Sequence, residues 1–146
     1  MWKETSAPVH KLEWNQDCSV GIREIDSQHR HLIELLGELS ACVRMGESRS
    51  LAPVALMKVS RYAERHLQRE ELMLRIRGYP GYEEHKAEHD EYRKKVASLQ
   101  LSYDRRDLGI RIANFLTEWW RGHILGSDQQ YARFFQCKQV DPLVRS

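Results

Sequence analysis

Apolar residues recur along this chain at steps of three and four, the spacing that gathers them on one face of an α-helix. Ile22, Ile25, Leu32, Leu36, Leu39 and Val43 form one such stripe, which predicts a first helix over residues 22–45, closed by the polar "GES". Leu56, Val59, Ala63, Leu67, Leu74 and Ile76 predict a second, running from a candidate N-cap at Ser50, with Pro53 tolerated in the first turn, to "RGYPG". Pro80 and Gly81 separate it from a third helix over residues 82–101. After "SYD" a fourth spans 107–125, carrying Ile112, Phe115, Leu116, Trp119 and Ile124, and a short helix or coil follows over 128–137. No segment keeps the two-residue alternation of a half-buried strand.

Four helices joined by short connections predict an all-α fold: an up-down-up-down antiparallel four-helix bundle over residues 21–131. An extended N-terminal arm, 1–20, precedes it, and a short C-terminal helix or tail, 132–146, ends it. Trp14 and Val20 are the arm's candidates for packing on the bundle. A length of 146 residues suits one domain with one core.

Composition removes several function classes. Twenty-three basic against 21 acidic side chains leave a formal charge of +2 without a long Lys/Arg run, so no nucleic-acid footprint is visible. The opening "MWKETSAPVH" lacks an apolar signal segment, and no apolar stretch approaches the roughly 18 residues of a membrane span. The expectation is a soluble, cytoplasmic protein with no membrane insertion. Cys18, Cys42 and Cys137 form no C-x-x-C and are odd in number, which predicts free thiols in a reducing compartment.

The histidines change the picture. Of seven, five fall in register with the apolar stripes: His29 on the first helix, His66 on the second, His85 and His89 on the third, His123 on the fourth. Glu70, four residues after His66, lies one turn above it on the same face. A lone core histidine is ordinarily just hydrogen-bonded, and an i, i+4 pair such as "HKAEH" is common by chance. Five imidazoles and a carboxylate converging on one interior are different, because each left unpaired costs several kcal/mol of desolvation. A shared metal site removes that cost. His10, ahead of the helices, and His31, turned about 200° from His29 around its helix, are expected to face solvent.

Imidazole suits Zn, Cu, Fe and Ni, and no cysteine occupies an interior position, which argues against a structural cysteine-rich zinc site. Five histidines are too many for one tetrahedral ion. Two ions are the natural count, with a carboxylate able to bridge them. Asp128 is a second candidate bridge, although on a straight helix it lies about 140° from His123; it reaches the interior only where the helix breaks, as Gly126 allows.

These residues resemble the hemerythrin family, in particular its single-domain bacterial members. "VGIREIDSQH" resembles the first-helix signature ending D-x-Q-H, "HLQREE" the H-F-x-x-E-E element, "GYPGYEEHKAEH" the loop and H-x-x-x-H segment, and "WWRGHILGSDQQY" the motif W-L-x-x-H-I-x-x-x-D-x-x-Y. The likeness covers residues 14–131. It implies a non-haem di-iron cofactor, Fe2+ or Fe3+. One iron would be held by His85, His89 and His123 and the other by His29 and His66, with Glu70, Asp128 and an oxo or hydroxo group bridging. If both irons are six-coordinate, one position stays open, on the iron of His29 and His66.

In the family that position binds O2 reversibly as hydroperoxide, in a pocket that excludes water. Leu32, Ile33, Trp119, Trp120 and Ile124 are the candidate lining. The chain departs from the pattern where Trp120 replaces the usual leucine and Leu67 the usual phenylalanine, and where Met73 and Leu74 invert the common order. Trp120 is expected either to narrow gas access or to turn its indole N–H toward the bound ligand. The resemblance thus implies an O2 carrier, store or delivery protein, monomeric or weakly oligomeric, rather than an enzyme. An oxygen or redox sensor, and a di-iron enzyme acting on peroxide, iron or nitric oxide, are the alternatives, and metal serving only to staple the bundle is another. Oxidative di-iron bundle enzymes are carboxylate-rich, whereas this set holds five histidines to two carboxylates, which favours binding.

Overall fold

The computed structural model describes residues 10–45, 52–101 and 108–139, so the expected N-cap at Ser50 and the expected helix start at Asp107 lie outside the described residues. The described residues form no strand. They build five α-helices, α1 (Arg23–Arg44), α2 (Ala52–Ile76), α3 (Tyr82–Gln100), α4 (Leu108–Leu125) and α5 (Ser127–Gln139), preceded by a 3-10 turn, Gln16–Cys18. The first four form a helical bundle in which α1 packs on α2 and α4, and α3 on α2 and α4, while α5 packs on α4.

Local chemistry explains the element ends. Before α1, Asp26 reaches back: its Oδ2 accepts from the Ser19 hydroxyl (2.5 Å) and its Oδ1 from the Val20 N–H (2.9 Å). The bend this requires uses Gly21 at φ 75°, a left-handed conformation that glycine adopts without a Cβ clash. Val20 is thereby buried, and Trp14 packs partly buried beneath the Arg30 guanidinium. At the other end of α2, Gly78 (φ 69°) closes the helix in a Schellman arrangement, its own N–H donating to Arg75 O (3.1 Å) and that of Tyr79 to Leu74 O (2.9 Å).

The break at Gly126 is present. A Cβ there would stand 2.6 Å from the carbonyl oxygen of Gly122, so only glycine permits this close approach between α4 and the start of α5. The Gly126 carbonyl then accepts from the N–H groups of Gln129 and Gln130, restarting the helix. The segment expected as helix or coil is helical through Gln139, with Ala132 and Phe135 buried.

The apolar stripes face inward with one correction. Ile76 is 74% exposed, because it lies two residues past Leu74 and so about 200° around α2. The buried side chains fall into two apolar layers. The larger contains Leu32, Leu36, Leu67, Tyr92, Trp119, Trp120 and Ile124; the smaller contains Val20, Ile25, Leu74, Tyr131, Ala132 and Phe135. On α1, α2 and α3 a ligand candidate falls in sequence between residues of these two layers: His29 between Ile25 and Leu32, Glu70 between Leu74 and Leu67, and His85 and His89 between Tyr82 and Tyr92. A polar layer is thus sandwiched within an apolar interior.

Candidate metal centre

All seven residues expected to ligate metal come together in that layer, and all are buried: His29, His66, Glu70, His85, His89, His123 and Asp128. His10 and His31 are exposed, as expected, with the His31 ring against Tyr62. Four helices and the first turn of a fifth supply the set, so the site exists only in the folded chain.

The imidazoles converge through Nε2. Nε2 of His89 and His123 are 3.0 Å apart, and His85 Nε2 lies 2.9 Å from Glu70 Oε1 and 3.2 Å from Asp128 Oδ1. His89 Nε2 is 3.1 Å from Glu70 Oε1, and His123 Nε2 is 3.1 Å from Asp128 Oδ1. At the other side, His29 and His66 present Nε2 atoms 3.1 Å apart, with Asp128 Oδ2 at 3.2 Å from His29 and Glu70 Oε2 at 3.6 Å from His66. Each carboxylate therefore turns one oxygen to the three-histidine group and the other to the two-histidine group.

Hydrogen bonds on the far side of the rings set their tautomers. Nδ1 of His89 donates to Glu71 Oε2 (2.7 Å), Nδ1 of His123 to Glu88 Oε1 (2.8 Å) and Nδ1 of His66 to Gln28 Oε1 (2.7 Å). A carboxylate only accepts, so the neutral rings of His89 and His123 carry their proton on Nδ1 and expose a lone pair at Nε2. Two such lone pairs at 3.0 Å repel unless a proton or a metal ion lies between them. Both oxygens of Asp128 are buried with no hydrogen-bond donor, although imidazole nitrogens surround them. Orphaned acceptors facing inward-pointing lone pairs fit a metal centre.

The spacings are also those of neighbouring ligand atoms around a metal ion. With metal–ligand bonds of about 2.1 Å, adjacent donor atoms stand about 3.0 Å apart around an octahedral ion and about 3.4 Å apart around a tetrahedral one. In the three-histidine group the donor contacts run from 2.9 Å (His85 Nε2 to Glu70 Oε1) to 3.7 Å (His123 Nε2 to Glu70 Oε1), a range that includes both edges.

The electrostatics also call for a cation. Burial opposes a charge on His85, but the carboxylates of Asp128 and Glu70 outweigh it and hold this imidazole up at about 9. His123, likewise opposed by burial, is raised well above its ordinary value by Asp128, Glu70 and Glu88. Burial drives His66 the other way, down to about 3, against the attraction of Glu70. Burial pushes the Glu70 carboxyl up, but the His123, His85 and His89 imidazoles overcome it and keep the group ionised. Protons and metal ions compete for the same lone pairs here.

The five candidate pocket residues, Leu32, Ile33, Trp119, Trp120 and Ile124, are all buried in the larger apolar layer. Trp119 stacks on the His123 ring at 4.5 Å, and the Trp120 ring centres 5.7 Å from His66 and 6.0 Å from His123. One expectation is corrected. The Trp120 indole N–H donates to the Tyr92 hydroxyl (3.1 Å) and so is not turned toward a ligand at the metal layer.

Sequence reasoning missed the residues behind the ligands: Gln28, Glu71, Glu88 and Tyr131, whose hydroxyl donates to Glu70 Oε2 (2.8 Å). The signal was adjacency. Gln28 precedes His29, Glu71 follows Glu70 and Glu88 precedes His89, yet each serves a histidine on a neighbouring helix, which spacing along one helix does not disclose. Arg93 adds a further link, joining Glu71 (2.8 Å) to Glu64 and Asp90.

Fold and site together define a helical-bundle protein with a buried histidine–carboxylate centre suited to cations. The model of the hemerythrin HHE cation binding domain matches residues 20–135, and the chain belongs to the hemerythrin family. It is 33% identical over 122 residues to a bacteriohemerythrin of Stenotrophomonas maltophilia, covering 83% of this chain and 79% of that protein. A bacteriohemerythrin of Clostridium acetobutylicum is 31% identical over 124 residues, 81% of this chain and 96% of the relative. A hemerythrin-like protein of Naegleria gruberi is 27% identical over 120 residues, 82% and 90% respectively.

Proposed function

We propose that this protein binds O2 reversibly at a non-haem di-iron centre. His85, His89 and His123 would hold one iron and His29 and His66 the other, with Glu70 and Asp128 as the carboxylates shared between them. The observation that carries this reading is the pair of carboxylates that each divide their oxygens between the two histidine groups. The reading includes the up-down-up-down antiparallel order, which brings successive helices side by side and closes the ring between α1 and α4.

Iron ions held by these residues would supply the reversible electron transfer that O2 binding requires. The chain's own part is to position and to protect. Glu71, Glu88 and Gln28 fix the ring orientations of His89, His123 and His66 through Nδ1. The apolar layer containing Leu32, Ile33, Trp119, Trp120 and Ile124 excludes water and stray proton donors, which keeps binding reversible. Histidine richness favours carriage over oxidation of a substrate. Among the described residues no helix is long and apolar enough to cross a membrane.

Metal analysis of protein loaded anaerobically with Fe(II) tests the centre. Two irons per chain are expected, with loss of iron in Glu70→Ala; one zinc per chain, or full iron retention in the variant, would overturn the assignment.

A further inference from the structure

We propose that the two metal positions are filled and emptied in a fixed order: the ion at His29 and His66 is bound last and released first. This rests on the di-iron reading above and adds to it an inequality built by residues that do not themselves touch metal.

Behind the three-histidine group stand two carboxylates. Glu88 accepts from His123 Nδ1 and is steadied by the Ser127 hydroxyl (2.6 Å), and Glu71 accepts from His89 Nδ1 while Arg93 holds it at 2.8 Å. An imidazole donating to a carboxylate is a more basic ligand than one donating to a neutral group, and loss of such a partner costs about 10- to 100-fold in metal affinity. Behind the two-histidine group stand a neutral amide, Gln28 on His66, and nothing on His29, whose buried Nδ1 has no partner.

The bridging carboxylate repeats the bias. Tyr131 donates its hydroxyl to Glu70 Oε2, the oxygen on the two-histidine side, and so draws electron density from that donor alone. Oε2 stands 3.6 and 3.9 Å from His66 and His29, whereas Oε1 stands 2.9, 3.1 and 3.7 Å from His85, His89 and His123, so the two-histidine side has no Glu70 contact as short as the shortest of the other side. Finally, His66 stands behind the wall of a surface cleft of about 380 Å³ lined also by Glu24, Gln28, Tyr62, Arg65 and Arg69, its own side chain buried.

The test uses the full chain carrying two Fe(II) ions under argon, mixed with excess ferrous chelator while release is followed by absorbance. Two phases of equal amplitude are expected, with rates at least about tenfold apart. Glu88→Gln should quicken the slow phase, and Gln28→Glu, which puts a carboxylate behind His66, should slow the fast one. Tyr131→Phe, which frees Glu70 Oε2, should also slow the fast phase and serves if either other variant fails to fold. A single phase from two bound irons, or Glu88→Gln acting on the fast phase alone, overturns the ordering and leaves the di-iron centre standing. Fewer than two irons in the unaltered protein overturns both.

Discussion

Trp120 and Tyr92 offer a prediction whose size follows from the structure. Both rings are buried in the layer beside the histidines, and the indole N–H donates to the phenolic oxygen at 3.1 Å. Burial pushes the Tyr92 hydroxyl above the ordinary tyrosine range, so the oxygen is a neutral acceptor at working pH. Trp120→Phe removes the donor and part of a fully buried ring. Leaving the hydroxyl without its partner costs about 1–3 kcal/mol, and the lost burial adds roughly 1 kcal/mol, for a total of about 2–4 kcal/mol. Tyr92→Phe orphans the indole N–H at a similar cost of about 1–3 kcal/mol. In the double variant both polar groups are gone, so the combined loss should fall short of the sum by about 1 kcal/mol or more. Urea unfolding of the four proteins, each metal-loaded and compared at equal m-value, measures this coupling. Additivity within about 0.5 kcal/mol would refute the hydrogen bond. A smaller residue at this position opens space beside His66 and His123, so Trp120→Leu should alter O2 on-rate or speed autoxidation. Unchanged stopped-flow kinetics would remove Trp120 from the pocket.

Other consequences are as direct. Gly126→Ala places a methyl 2.6 Å from the Gly122 carbonyl oxygen and should lower thermal stability and iron content together, since the same backbone aims Asp128; normal iron content with normal stability would separate the glycine from the site. In metal-free protein His85 is raised to about 9 and His123 is raised as well, so the stability they contribute is complete below the ordinary histidine value of about 6.5 and is lost as pH rises through their raised values, about 9 for His85. Chemical unfolding of the metal-free protein should therefore weaken from about pH 6.5 to 9, while the metal-loaded protein, whose lone pairs hold ions instead of protons, should not follow it; parallel curves would contradict the assignment.

Much of this site is legible in the sequence because helices convert spacing into direction. His66 and Glu70 lie one turn apart, as do His85 and His89, and the apolar stripe fixes which way each pair points. Asp128 shows the rule at its limit. Helical phase alone turns it away from His123, and only the break at Gly126, itself readable as a glycine, restores it. Ile76 was misplaced by extending the stripe two residues past Leu74, where the phase had already carried it to solvent. The residues behind the ligands were not legible, because Gln28, Glu71 and Glu88 each cross to another helix, and such pairings depend on bundle packing rather than on period. Trp120 belongs to the same class: its position was evident, but the direction of its N–H was decided by Tyr92 on α3, 28 positions away.

The central claim is reversible O2 binding, and one measurement meets it most directly. Fully reduced protein with two irons is mixed with O2 in the absence of air, its visible spectrum is recorded, and the gas is then removed by argon exchange. The account predicts a charge-transfer band that appears on mixing, disappears on deoxygenation and returns through repeated cycles. Immediate oxidation with no recoverable band, or a protein indifferent to O2, would contradict it.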